Sequence, residues 1–163
     1  MCRRLIVGTL VLLATGWTLA PASRQQVRRA GSKASAEQAR LAAGVRAVLD
    51  AQVAAWNRGD IEAFMDGYAR SPDTVFVSGD TVLRGWQTVM NRYRENYGSR
   101  DKMGTLAFSE LEIKPLGRDA AVVLGRWQLA RSGDSPHGCF TLIFRRTAGA
   151  WRIVHDHTSV AAN

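Results

Sequence analysis

Near the C-terminal end the chain reads WRIVHDHTS, Trp151 to Ser159, and this stretch holds two of its three histidines around an aspartate. His155, Asp156 and His157 are residue types suited to proton transfer near neutral pH: the imidazoles by their ordinary pKa, the carboxylate once its surroundings move it. Residues two apart on a strand share a face. Strict alternation therefore predicts His155 and His157 beside Trp151 and Ile153, with Val154, Asp156 and Thr158 on the other side. A carboxylate that orients either imidazole would then come from elsewhere, for example Glu110, Glu112 or Asp66. Two imidazoles on one face could also begin a tetrahedral zinc site, and a hairpin turning at 147–149 would carry His137 and Cys139 toward His157. The third reading is structural, with histidines satisfied by hydrogen bonds on a half-buried strand or at a dimer contact. His155, His157 and Asp156 are the catalytic candidates; no metal and no cofactor is assigned.

The aromatic residues offer a second chemistry. Trp56, Tyr68, Trp86, Tyr93 and Trp127 can wall a pocket for a flat organic molecule, with indole N–H and phenol O–H groups as polar handles. Arg145 is the candidate anchor for an anionic group, and Arg126 divides in the same way between that role and a solvated sheet edge.

The elements that would hold these residues can be read from periodicity. Ser35 and Gln38 have the spacing of a capping box. The helix that follows carries Leu41, Val45, Val48, Leu49, Val53 and Trp56 on one face, with Gln52 as the polar exception. Asn57-Arg58-Gly59 ends it, and Asp60 caps a second helix with Ile61, Phe64, Met65 and Tyr68. TVFVS (74–78) and TVLRG (81–85) form a hairpin, and Trp86, Val89, Met90, Tyr93 and Tyr97 mark a third helix. Ser99 to Gly104 reads as a polar loop. Four strands follow, LAFSELEI, AAVVLGRWQLA, CFTLIFRR and WRIVHDHT, which imply an antiparallel meander. In LAFSELEI the apolar phase changes between Phe108 and Leu111, the mark of a bulge that bends a sheet. This order of elements is that of an α+β domain.

The N-terminal end has a different character. Met1-Cys2-Arg3-Arg4 precedes an apolar run from Leu5 to Ala20 and then Ala20-Pro21-Ala22, the pattern of a secretory signal peptide over residues 1–22. Gly8, Thr9, Thr15, Gly16 and Thr18 interrupt the run, which falls short of the roughly 18 apolar residues of a membrane span. The expectation is an exported protein, periplasmic or extracellular, with no stable membrane span after cleavage. Residues 23–33 read as a flexible basic linker and residues 34–163 as the folded domain. The net charge of +8 gathers in the leader and linker, at Arg3, Arg4, Arg24, Arg28, Arg29 and Lys33. No basic stripe with interleaved aromatics follows, so nucleic acid is not an expected partner. Of the two cysteines only Cys139 lies beyond the leader, so the core must hold without a disulfide.

The stretch AWNRGDIEAFMDGYARSPDTVFVSGDTVLRGW, together with FTLIFRRTAGAWRIVHDHTS, resembles the SnoaL-like proteins and a related domain of unknown function in the nuclear transport factor 2-like superfamily. The resemblance covers Ala34 to Val160. It implies a cone-shaped, cystatin-like fold in which a curved, mainly antiparallel sheet wraps three helices and leaves a cavity. It also implies a homodimer through the sheet. Fold alone does not fix chemistry here. A ketosteroid isomerase of this superfamily needs a tyrosine, a carboxylate base and a protonated acid. The matching positions are Gln52, Val77 or Ser78, and Thr141 or Leu142, and none keeps the required group. The kinase association domain of the superfamily has a similar last strand, which favours binding or assembly. The expected function is a small-molecule-binding or accessory domain; an acid–base isomerase, cyclase or hydratase and an oligomerisation domain are the alternatives.

Overall fold

The computed structural model of the protein describes residues 24–161. The signal-peptide reading falls on residues 1–22, outside the described residues. Helix α1 runs from Arg24 to Asn57 and so begins well before Ser35. Residues 31–40 are all exposed. Gln, Arg, Ala and Lys are strong helix formers, and here propensity extends the helix through the stretch read as a linker. Among the described side chains Leu41 is the first buried one, followed by Val45, Leu49 and Trp56 on the expected face. Each such buried side chain contributes about 1.5–3 kcal/mol of apolar transfer.

Asp60 caps α2 (Ile61–Met65), its carboxylate accepting from the Ala63 amide at 2.9 Å. Tyr68 lies beyond that helix, in a stretch that docks against the last strand. The Ala69 amide donates to Ile153 O, and the Ile153 amide donates to Gly67 O. The hairpin β1 (Val75–Ser78) and β2 (Thr81–Arg84) follows, then α3 (Trp86–Asn96). The predicted polar loop instead holds a single helical turn, α4 (Arg100–Met103), because Ser99 caps it through the Lys102 amide and Met103 is buried. Strands β3 (Thr105–Pro115), β4 (Ala120–Ala130), β5 (His137–Thr147) and β6 (Ala150–Thr158) complete the domain.

One six-stranded sheet in the order β2-β1-β6-β5-β4-β3 wraps the helices. Every neighbouring pair is antiparallel except β1 and β6, which run parallel with Phe76 beside Asp156. The predicted bulge is present in β3 between Ser109 and Glu112, where Glu110 takes a φ of 50°. Across it the inward residues change from Leu106 and Phe108 to Leu111 and Ile113. A second bulge, not read from the sequence, lies in β6: Phe144 pairs with Ile153 and Ile143 pairs with His155, leaving Val154 as the extra residue.

Candidate functional site

The bulge at Val154 reverses the expected face of the His-Asp-His strand. Trp151 and Ile153 point inward before it, and Asp156 points inward after it, with Trp151, Ile153 and Asp156 all buried. His155 is half-buried and His157 exposed on the outer face, beside Ile143 and Thr141 of β5. Two of the three carboxylates considered as their partners are engaged elsewhere, Asp66 with Arg70 and Glu110 with Arg126. His137 Nδ1 lies 3.1 Å from Ser135 O. Among the described residues no three His, Cys, Asp or Glu side chains converge to hold a metal ion.

A cavity of about 130 Å³ lies between the helices and the inner face of the sheet. Trp56, Phe64 and Tyr93, with Tyr68 and Tyr97 just beyond the ends of α2 and α3, form one wall, and Phe76, Phe108, Trp127 and Phe140 belong to its sheet wall. The rings interlock edge to face: Trp56 and Tyr97 at 4.7 Å between centroids, Trp56 and Phe64 at 5.1 Å, Phe108 and Phe140 at 5.1 Å. Of the predicted pocket residues, Trp56, Tyr68, Tyr93 and Trp127 line this cavity. Trp86 does not, because its indole N–H donates to Met65 O and its ring lies 4.6 Å from the Arg70 guanidinium. Arg145 does not either: it alternates with the inward-facing Phe144 and pairs on the outside with Asp119.

Asp156 is the cavity's carboxylate. Its Oδ2 accepts from the Tyr68 hydroxyl at 2.6 Å, and its Oδ1 accepts from the Thr158 hydroxyl at 2.6 Å. The Tyr68 and Tyr93 oxygens are 3.2 Å apart. Tyr68 has one hydroxyl hydrogen and gives it to Asp156, so Tyr93 donates to Tyr68 in this arrangement. Burial pushes the Asp156 carboxyl above its ordinary range, against the opposing effect of the Thr158 and Tyr68 hydrogen bonds. Burial, reinforced by the Asp156 charge, likewise holds both phenols well above theirs. The result is a buried acid joined to two neutral hydroxyls, with the outer hydroxyl on the cavity wall.

Gln52, the polar exception on α1, also lines the cavity and donates from Nε2 to Phe64 O at 3.1 Å. Ser78 and Leu142 line it too, while Asp156 sits directly beside Leu142 on the neighbouring strand. The carboxylate is therefore one strand away from the position where the isomerase comparison sought one.

A SnoaL-like domain family model matches residues 45–163. The chain belongs to the SnoaL-like domain family. This SnoaL-like chain is similar to an NTF-2 like protein of unknown function from Shewanella oneidensis MR-1. That pair is 38% identical, with 71% of this chain and 96% of the other covered at a TM-score of 0.69. It also resembles a nuclear transport factor 2 (NTF2-like) superfamily protein from Salmonella enterica serovar Typhimurium at 20% identity and a TM-score of 0.62, over 77% of this chain and 94% of that one. A protein of unknown function from Pectobacterium atrosepticum matches at 22% identity and a TM-score of 0.63, over 77% and 94% of the two chains. A search of curated proteins gave no match. The α+β, cystatin-like architecture expected from the sequence is thus the architecture of these relatives. No helix among the described residues is long and apolar enough to cross a membrane.

Proposed function

We propose that this SnoaL-like protein is exported and binds a small, largely aromatic organic molecule in the cavity between its helices and its sheet. One observation carries the reading: an aromatic-walled cavity of about 130 Å³ has a single buried carboxylate, tied through Tyr68 to the Tyr93 hydroxyl on its wall. Aromatic walls supply non-directional affinity, and the hydroxyl chain supplies one oriented polar contact. Thermal unfolding of the purified protein against a panel of monocyclic and bicyclic aromatic compounds tests it. A saturable rise in melting temperature that is abolished by Phe140→Ala or Trp127→Ala supports the reading; a melting temperature unmoved by every compound overturns it. Export is tested by the mature N-terminus, which should begin near Ser23 in protein recovered from outside the cytoplasm.

The same hydroxyl chain supports a second reading, acid–base catalysis. With Asp156 protonated on Oδ2 the chain runs the other way, Asp156 donating to Tyr68, Tyr68 to Tyr93 and Tyr93 to a ligand oxygen, and each proton can move one step along it. Each phenol oxygen gains one proton and gives one up, the ligand oxygen gains one, and Asp156 ends as the carboxylate. Asp156→Asn would then abolish turnover of any transformed ligand while leaving its binding intact. His155 and His157, on the outer face, do not enter this chain of groups.

A homodimer through the outer face of the sheet is part of the proposal. Val75, His155, Ile143 and Val122 form one row across four strands, and Val77, His157, Thr141 and Leu124 form the next. Leu124 and Ile143 are 47% and 39% exposed. Apolar side chains in the middle of the outer sheet face suit a self-complementary contact, with the two histidines inside it.

A further inference from the structure

We propose that Arg92 is the anchor for an anionic end of the cavity's ligand, so that the pocket selects aromatic molecules bearing a carboxylate. This inference rests on the pocket-binding reading above and narrows its ligand class. Arg92 precedes Tyr93 on α3, is half-buried and lies on the cavity wall. It is the only cation among the lining residues. Eight arginines of the described chain pair with an aspartate or glutamate. Arg92 has no such partner among the described residues, and its guanidinium sits over the Phe76 ring at 5.2 Å from the centroid.

A guanidinium stacked on an aromatic face keeps its in-plane N–H groups free, and these match the two oxygens of a carboxylate. Its charge is directed at the cavity. The Tyr93 phenol is raised chiefly by burial and the Tyr97 phenol likewise, and in both Arg92 acts in the opposite sense. Asp156 does not neutralise Arg92, because its two oxygens are occupied by Tyr68 and Thr158. Cation and acid therefore line the cavity from different elements, Arg92 from α3 and Asp156 from β6, with no ion pair between them among the described residues. That separation sets an orientation: the ligand's negative group goes to Arg92, and the opposite pose would press it against Asp156. Ser78 follows Phe76 on the inward face of β1 and offers a hydroxyl to the same anionic group. The sequence pointed to Arg145 for such an anchor; the fold turns Arg145 outward and brings Arg92 to the cavity instead.

The test is calorimetric titration of the whole protein with phenylacetate and indole-3-acetate, each beside its neutral amide, phenylacetamide and indole-3-acetamide. The acids should bind about tenfold or more tightly than the amides, the range of a charge-assisted contact. Arg92→Gln should erase that preference while keeping the amide affinity, and Arg92→Lys should keep part of it. Melting curves of both variants confirm the fold. Equal affinity for acids and amides, or a preference that survives Arg92→Gln, overturns the role of Arg92 while the pocket reading stands. Binding of neither series overturns both.

Discussion

Tyr68 and Asp156, 88 residues apart in the chain, meet in a 2.6 Å hydrogen bond inside the core. Two separate pieces of backbone bring them together. The stretch around Tyr68 bonds to Ile153 of β6, and the bulge at Val154 then turns Asp156 to the same side. Neither residue would reach the other if only one of these features were present.

The pH dependence of stability follows from that burial. Burial raises the Asp156 carboxyl above its ordinary value of 3.8. A carboxyl raised in the fold stabilises it in the protonated form. That contribution is complete below the unfolded pKa and is lost as pH rises through the folded one. Asp156→Asn lacks the titration, so its melting temperature should gain on that of the parent as pH is raised from about 4 toward neutral. A difference that stays constant across this range would contradict the assignment.

Tyr68→Phe removes the donor to Asp156 Oδ2 and leaves a buried oxygen unsatisfied. The expected loss is about 1–3 kcal/mol in urea unfolding. Tyr93→Phe should cost less, since the Tyr93 hydroxyl lies on the cavity wall. Combining Tyr68→Phe with Asp156→Asn should be clearly less than additive, because the two residues share one interaction. Additive losses would show that they do not.

Gly67 is fixed by Gln52. A Cβ on Gly67 would lie 2.6 Å from the Gln52 amide group, which is itself held by Phe64 O. Gly67→Ala should destabilise by about 1–3 kcal/mol, the range of overpacking in a tight core. Gln52→Ala in the same chain should recover part of that loss by opening the space. A Gly67→Ala protein that melts with the parent would refute the contact.

Deleting Val154 removes the extra residue of β6. Ile153 and His155 would then be consecutive opposite Phe144 and Ile143, as their pairing already has them, so regular alternation keeps Asp156 inward and both histidines outward. The deletion variant should therefore fold and keep the parent's pH dependence of melting, since Asp156 stays buried beside Tyr68. A deletion variant whose melting no longer varies with pH as the parent's does would disprove the phase switch.

The outer face gives the last prediction. Leu124→Lys with Ile143→Lys should convert a dimer to a monomer in sedimentation without changing the circular dichroism, by placing like charges in the centre of the contact. A parent protein that sediments as a monomer at micromolar concentration would remove the dimer from the proposal.

Periodicity placed most of the elements, and the bulge in β3 was visible because apolar residues mark its phase on both sides. The bulge in β6 was hidden for the opposite reason. After Ile153 and Val154 the strand continues His-Asp-His-Thr, in which neither alternating set is apolar. Pattern alone could not show which set faced the core. The parallel joining of β1 to β6 depends on contacts far apart in sequence, and it was this pairing that set Phe76 beside Asp156. Four of the five aromatic candidates, Trp56, Tyr68, Tyr93 and Trp127, line the cavity. Trp86 and Arg145 lie outside it, because a ring or a guanidinium is equally at home over a surface partner, here Arg70 and Asp119.

The extra residue at position 154 also bears on how such a pocket changes through descent. A point substitution alters one wall group at a time, but smoothing the bulge into a regular strand of the same length would exchange the whole polar set that this strand offers the pocket in one event. Two sequences that align without a gap through this strand can thus present opposite chemistries, imidazole in one and carboxylate in the other. Transfer of a ligand between such sequences is sound only where both strands carry the bulge.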